Sequence, residues 1–293
     1  MCNINRKNSL FLIDGTSYLY RAYYIFPTLT NSRGDPTGAL YGFMNMIHRF
    51  LHRYNPTYML VAFDAKGKTF RHELFKAYKL HRSQMPQVLC DQIEPLYELI
   101  RAMGIAIQVE AGVEADDVIG TLAKKAEKKG QIIYISTNDK DFAQLVTPNI
   151  KIMTSHNFIL GPQEVFFKYG VRPDFITDLI GLMGDYSDNI PGVPGIGIKT
   201  AQKLLQNIGS LNDIFSNLDK IEKIIPYRKA KKIINSLKKH QEVAWLSRQL
   251  ATIITDVKIV TNYEHMAVTE PNNEQLQALF SYYEFYNLFH WYG

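Results

Sequence analysis

EADDVIGTLAKKAEKKG (residues 114–130) runs directly into QIIYISTNDKDF (residues 131–142). In the first stretch Val118, Ile119, Leu122 and Ala123 recur at helical spacing. A helix is therefore expected from about Ala115, with Gly130 as its stop. In the second, the apolar run 132–135 reads as a buried strand that delivers Asp139 and Asp141. Outward from this unit the pattern repeats. SLFLIDG (9–15) is a buried strand ending on Asp14, and YMLVAFDAKG (58–67) is another ending on Asp64. Segments 37–54 and 90–104 carry apolar residues at three- and four-residue steps, as helices do. Strands alternating with helices imply an α/β fold built on a doubly wound, mostly parallel sheet.

In such a sheet the C-terminal strand ends open onto one crevice. Asp14, Asp64, Asp139 and Asp141 lie just past strand ends, and Glu114, Asp116 and Asp117 sit where a helix would start on the same rim. The run LIGLMGDYSDN (179–189) adds Asp185 and Asp188. Acids at a helix start have an ordinary explanation as caps, each contributing ~0.3–1 kcal/mol. Capping is secondary here, because so many carboxylates directed at one place repel each other unless cations neutralise them. An all-oxygen ligand set suits Mg²⁺ or Mn²⁺ rather than Zn²⁺. The number of acids exceeds what one ion needs, so two are expected, an arrangement suited to phosphodiester hydrolysis. A phosphatase would also use strand-end aspartates, but Asp14 is followed by Gly15 and Thr16, without a second Asp as acid–base partner.

The chain has 293 residues, 46% hydrophobic and 21% charged, which fits a globular protein of two domains. No apolar run approaches the ~20 residues needed to cross a bilayer. Cys2 and Cys90 lack metal-ligand spacing, and a reducing cytoplasm is expected. The net charge is only +5. Setting nine metal-site acids aside leaves 19 acids against 33 basic residues, a surplus of 14 over the rest of the molecule. That balance is one of nucleic-acid binding.

Two segments would meet the nucleic acid. KGKTFRHELFKAYKLHR (66–82) holds Lys66, Lys68, Arg71, Lys76, Lys79 and Arg82 against one acid, Glu73, with aromatics between them. Read as a basic helix, it offers phosphate contacts and base stacking. PGVPGIGIKTA (191–201) has the pattern of a helix–hairpin–helix turn, where Gly192, Gly195 and Gly197 let backbone N–H groups approach phosphate ahead of Lys199 and Thr200.

Taken together, LFLIDGTSYLYRAYY, VAFDAKGKTFRHELFKAYKLHR, GVEADDVIG, STNDKDFAQL and LMGDYSDNIPGVPGIGIKTAQKLL resemble the 5′-nuclease domain of bacterial DNA polymerase I, within the flap endonuclease family. The resemblance covers nearly the whole chain. It implies a nuclease domain over residues 1–175 and a helical DNA-binding domain over 176–293. It implies that Asp14, Asp64, Glu114, Asp116, Asp117, Asp139, Asp141, Asp185 and Asp188 form a two-metal site. Tyr78, Lys79 and Arg82 would position the substrate, Tyr78 by stacking on an exposed base, while Arg21 would supply a basic group beside the first strand. The hairpin would hold duplex DNA, with K⁺ on its backbone oxygens. The implied substrates are duplex, nicked or flapped DNA and RNA-primed DNA, cut near 5′ ends by a monomer that works alongside a polymerase and a ligase at the nucleoid. Two positions depart from the family pattern. Asn138 stands where a small residue is commoner, and Ile198 where a polar one is frequent. The chain stops at FHWYG, where a polymerase would continue, and its Met1 favours a stand-alone nuclease. The alternatives are a ribonuclease with the same acidic site and a DNA-binding protein without catalysis.

Overall fold

A computed structural model describes residues 9–156 and 158–291, so Met1 and Cys2 lie outside the described residues. Six strands form one sheet: β1 (Ser9–Asp14), β2 (Tyr58–Asp64), β3 (Ala106–Glu110), β4 (Ile132–Ser136), β5 (Ile150–Met153) and β6 (Ile159–Leu160). Their order is β3-β2-β1-β4-β5-β6, parallel throughout except for the antiparallel edge strand β6. All six residues of β1 are buried, as a central strand covered on both faces requires. The register aligns Asp14 with Ala62 and Ile13 with Ser136. The ends of β1, β2 and β4 are thereby brought level at one rim.

The helices at Gly38–Tyr54 and Ala115–Lys128 occupy the expected segments. Segment 90–104 holds a helix over Ile93–Ala102, preceded by a short turn of helix at Gln87–Cys90. Segment 66–82 departs from its basic-helix reading. It is helical only over Phe70–Leu74, and then breaks into turns in which Lys79 adopts a φ of +53°.

Alternate residues of the strands feed two cores. Phe11, Ile13, Val61 and Phe63 pack beneath the helices at Gly15–Ile25, Gly38–Tyr54 and Ile93–Ala102. On the other face Leu10, Leu12, Leu60 and Ile135 meet Val118, Ile119 and Leu122. That second core continues without interruption into the helical region, through Ile180, Leu204, Leu237 and Leu250. A boundary at 175/176 is therefore not a break in packing. The chain also returns at its end. Val268 N–H donates to the Thr57 carbonyl at 2.9 Å, Thr269 N–H to that of Gly104 at 3.0 Å, and Leu276 and Phe280 of the helix Asn273–Tyr283 enter the first core. The last segment thus packs against the α/β layer.

Candidate metal centre and nucleic-acid interface

A chain of short contacts assembles the acidic rim. Asp14 caps the helix that follows it, its Oδ1 accepting from Ser17 N–H at 2.9 Å, while its Oδ2 accepts from the Thr137 hydroxyl at 2.8 Å. Thr137 Oγ1 in turn accepts from Asp139 N–H at 3.0 Å, and Asp139 Oδ1 from Asp141 N–H at 2.9 Å. Asp64 Oδ1 accepts from Ala115 N–H at 2.8 Å, which ties the end of β2 to the start of the helix bearing Asp116. Three strand ends and one helix start are held together in this way.

The electrostatic consequence is severe. Burial pushes the Asp14 carboxyl up to about 7, assisted by Asp64 and Asp139 and opposed by its two hydrogen bonds. Asp116 and Asp141 are raised well above the carboxylate range, by burial first and by Asp139 next. The Asp141 Oδ1 atom is buried with no hydrogen-bond partner among the described residues. Among those residues no three of these side chains close around one point as a finished coordination shell. The acids are neighbours that repel one another. An all-oxygen set with raised pKa values and an orphaned buried oxygen fits divalent cations of the Mg²⁺ or Mn²⁺ type.

Opposite the strand ends, the turn after helix Ile176–Met183 presents Asp185 and Asp188. Burial would raise the Asp185 carboxyl, but Lys140 at 2.8 Å and the Ser187 hydroxyl and N–H outweigh it and hold the group below its usual range. Lys79 Nζ lies 2.7 Å from Glu114 and 3.6 Å from Asp188, and Arg82 lies 2.5 Å from Asp188. Lys79 and Arg82 do converge, although by a turn and not by helical spacing. The Lys79 N–H donates to the Asp188 carbonyl at 2.9 Å, which pins this turn to the acidic one.

Three expected site residues have other roles. Arg71 is 2% exposed and forms a two-pronged pair with Asp117 at 2.7 and 2.8 Å, so it cannot reach DNA. Asp117 also accepts from the N–H groups of Glu114 and Ile254, at 3.0 and 2.9 Å. Four donors occupy its four acceptor positions and none is left for a metal. For this one acid, the capping explanation is the correct one. Tyr78 is 4% exposed, with its hydroxyl 3.2 Å from Glu114 and 3.3 Å from Asp188. It supports these two acids from below and presents no face to a base. The exposed aromatic at this rim is instead Tyr186, 88% exposed and stacked on His81 at 5.7 Å. Its position inside DYSDN, between two of the acids, was the available signal, as was that of Lys140 inside NDKD.

The hairpin joins helix Ile176–Met183 to helix Ile198–Asn207 as expected. Its glycines differ. Gly192 packs inward, where a Cβ would meet the backbone of Met183 and Gly184 at 2.5 Å or less. Gly195 (φ +82°) and Gly197 have open space around them. Lys199 is exposed, whereas Thr200 is buried and faces the core. Lys66, Lys68 and Lys76 are exposed, and Arg21 lines a cavity beside the end of β4.

Residues 9–170 match the profile of the 5′-3′ exonuclease N-terminal resolvase-like domain, and residues 171–274 that of the 5′-3′ exonuclease C-terminal SAM fold. The chain belongs to the 5′-3′ exonuclease family. A 5′-3′ exonuclease of Buchnera aphidicola subsp. Baizongia pistaciae is 47% identical over 97% of this chain and 94% of its own length. DNA polymerase I of Pseudomonas aeruginosa is 46% identical over 95% of this chain, a region that makes up 31% of that polymerase. The zinc-bound T5 5′-exonuclease has the same fold, with a TM-score of 0.68 at 21% identity, covering 93% of this chain and 98% of that one. So has the catalytic core of Rad2 in complex with DNA substrate, at 0.64 and 16% identity over 96% and 90%. In this exonuclease the acidic site straddles both family domains. Asp14 through Asp141 come from the first, and Asp185, Asp188 and the hairpin from the second.

Proposed function

We propose that this exonuclease hydrolyses phosphodiesters near the 5′ ends of duplex, nicked and flapped DNA, and at RNA-primer ends on DNA, using two Mg²⁺ or Mn²⁺ ions. The observation that carries this reading is the buried, unpartnered Asp141 Oδ1 among carboxylates whose pKa values are raised by burial and by one another. Asp14, Asp64, Asp116, Asp139 and Asp141 would hold the ions from the strand side, with Glu114, Asp185 and Asp188 facing them. Bound there, such ions supply an activated nucleophile and stabilise the leaving oxygen. Lys79 and Arg82, held at the rim by Glu114 and Asp188, neutralise charge on the scissile phosphate. The backbone at Gly195 and Gly197, with open space beside it at the start of a helix, takes the duplex backbone. K⁺ bound by hairpin carbonyls belongs to the same reading, as does work beside a polymerase and a ligase at the nucleoid.

A 5′-labelled flap duplex, an RNA-primed duplex and a single strand, each with Mg²⁺, Mn²⁺ or EDTA, test the proposal. The first two should be cut with either metal and resist in EDTA. Cutting in EDTA, or none with either metal, would overturn it.

A further inference from the structure

Beside the acidic rim lies a cavity of 210 Å³ whose lining includes Tyr18, Arg21, Arg49, Arg53, Ser136 and Ser155. Three guanidiniums reach it from two helices. Arg21 comes from Gly15–Ile25, while Arg49 and Arg53 lie one turn apart on Gly38–Tyr54. None of the three is in an ion pair with a carboxylate among the described residues, and no carboxylate lines the cavity. Met46, Phe50 and Met153 make much of the lining apolar, and Ser136, 3% exposed, shares a 2.7 Å hydrogen bond with the Tyr18 hydroxyl. Arginines on a solvated helix face are ordinary. Three that line one concave space without a counter-charge suit an anion.

Its place in the fold gives it meaning. Ser136 ends β4, and Thr137, the next residue, holds Asp14. Asp14, Tyr18 and Arg21 succeed one another along one helix, and seven residues at the helical rise put Arg21 about 10 Å from the acid along the axis. A space of 210 Å³ has room for a phosphate group. A phosphate inside a strand has two chain connections and one charge. A terminal phosphate has one connection, up to two charges and three free oxygens, which suits a concave pocket lined by planar guanidinium forks.

We infer that this cavity receives the terminal 5′-phosphate of the strand being cut. The assignment rests on the function proposed above and adds to it that the distance from pocket to acids sets where an unbranched 5′ end is cut. Long flaps, whose ends lie far from the acids, do not need the pocket.

The test compares nicked duplexes bearing a 5′-phosphate or a 5′-hydroxyl, bound in EDTA by wild type and by the Arg49→Gln/Arg53→Gln double variant. Both changes lie on a helix surface and keep polar side chains. Wild type should prefer the phosphorylated nick by roughly tenfold, as one charge-assisted contact set gives. The double variant should bind both alike and still cut a long flap normally with Mg²⁺. Equal affinities in wild type, or a preference that survives in the variant, would overturn the pocket while leaving the nuclease reading in place. Saturation by inorganic phosphate without any preference between the two duplexes would also overturn it, in favour of a free anion. Failure of wild type to cut the flap would count instead against the nuclease reading.

Discussion

Arg71 and Asp117 form a buried two-pronged ion pair, 2.7 and 2.8 Å long, that joins the short helix Phe70–Leu74 to the start of the acidic helix. The Arg71 guanidinium also donates to the carbonyls of Leu250 and Thr252 at 2.9 Å, so the helical region is tied in as well. Removing one partner leaves a buried charge, which costs about 3–5 kcal/mol. Asp117→Ala should lose stability of that order in urea denaturation. A near wild-type midpoint would show that the pair is not structural.

Asp116 and Asp141 should behave in the opposite sense. Each sits among like charges, so Asp116→Asn or Asp141→Asn should abolish metal-dependent cleavage yet leave the metal-free protein as stable as wild type or more so. Affinity for a flap duplex should hold or rise, since carboxylate–phosphate repulsion falls. Near-normal cutting with Mg²⁺ by either variant would remove that residue from the site.

Asp14 ties stability to pH. Its folded value of about 7 exceeds the ordinary 3.8, so between these limits the folded state binds more protons than the unfolded one. Stability of the metal-free protein should then fall as pH rises through that window, and the cost is complete above about 7. Divalent cations need the deprotonated acids, so their stabilising effect should grow over the same range. Melting temperatures from about pH 5 to 8, with EDTA or with Mg²⁺, give the comparison. Parallel curves in the two conditions would dissociate Asp14 from the metals.

The hairpin glycines should separate. Gly195, at positive φ, should lose about 1–2 kcal/mol of stability as Ala, whereas Gly197, at φ −96°, should lose little. Gly197→Val should still weaken duplex binding, because a side chain now stands where phosphate approaches, and each lost contact lowers the log–log salt slope by about 0.9. Binding to a single strand should change little. A Gly197→Val protein with an unchanged duplex slope would make the hairpin a structural turn only.

Much of this was legible in the sequence because the signals are local. Period-two and period-3.6 patterns reflect which face of an element is buried; β1 and β2 each announce themselves by an apolar run closed by an acid, and β4 by an apolar run with Asp139 three residues past its end. Half-buried β3 and two-residue β6 carry weaker patterns, as edge strands do.

The sequence by itself determined the α/β alternation, the gathering of acids at one rim and the helix–hairpin–helix, since each follows from spacing along the chain. The tertiary structure alone decided how charges of the same type divide their work. Asp116 and Asp117 are adjacent, yet one faces the acid cluster and the other meets Arg71. Tyr78, which the resemblance placed against a base, is buried, while Tyr186 is exposed, because the turn at Lys79 folds Tyr78 beneath Glu114 and Asp188. A side chain's charge is written in its residue type. Its partner is set by which elements the long-range packing brings opposite it, and no local spacing records that.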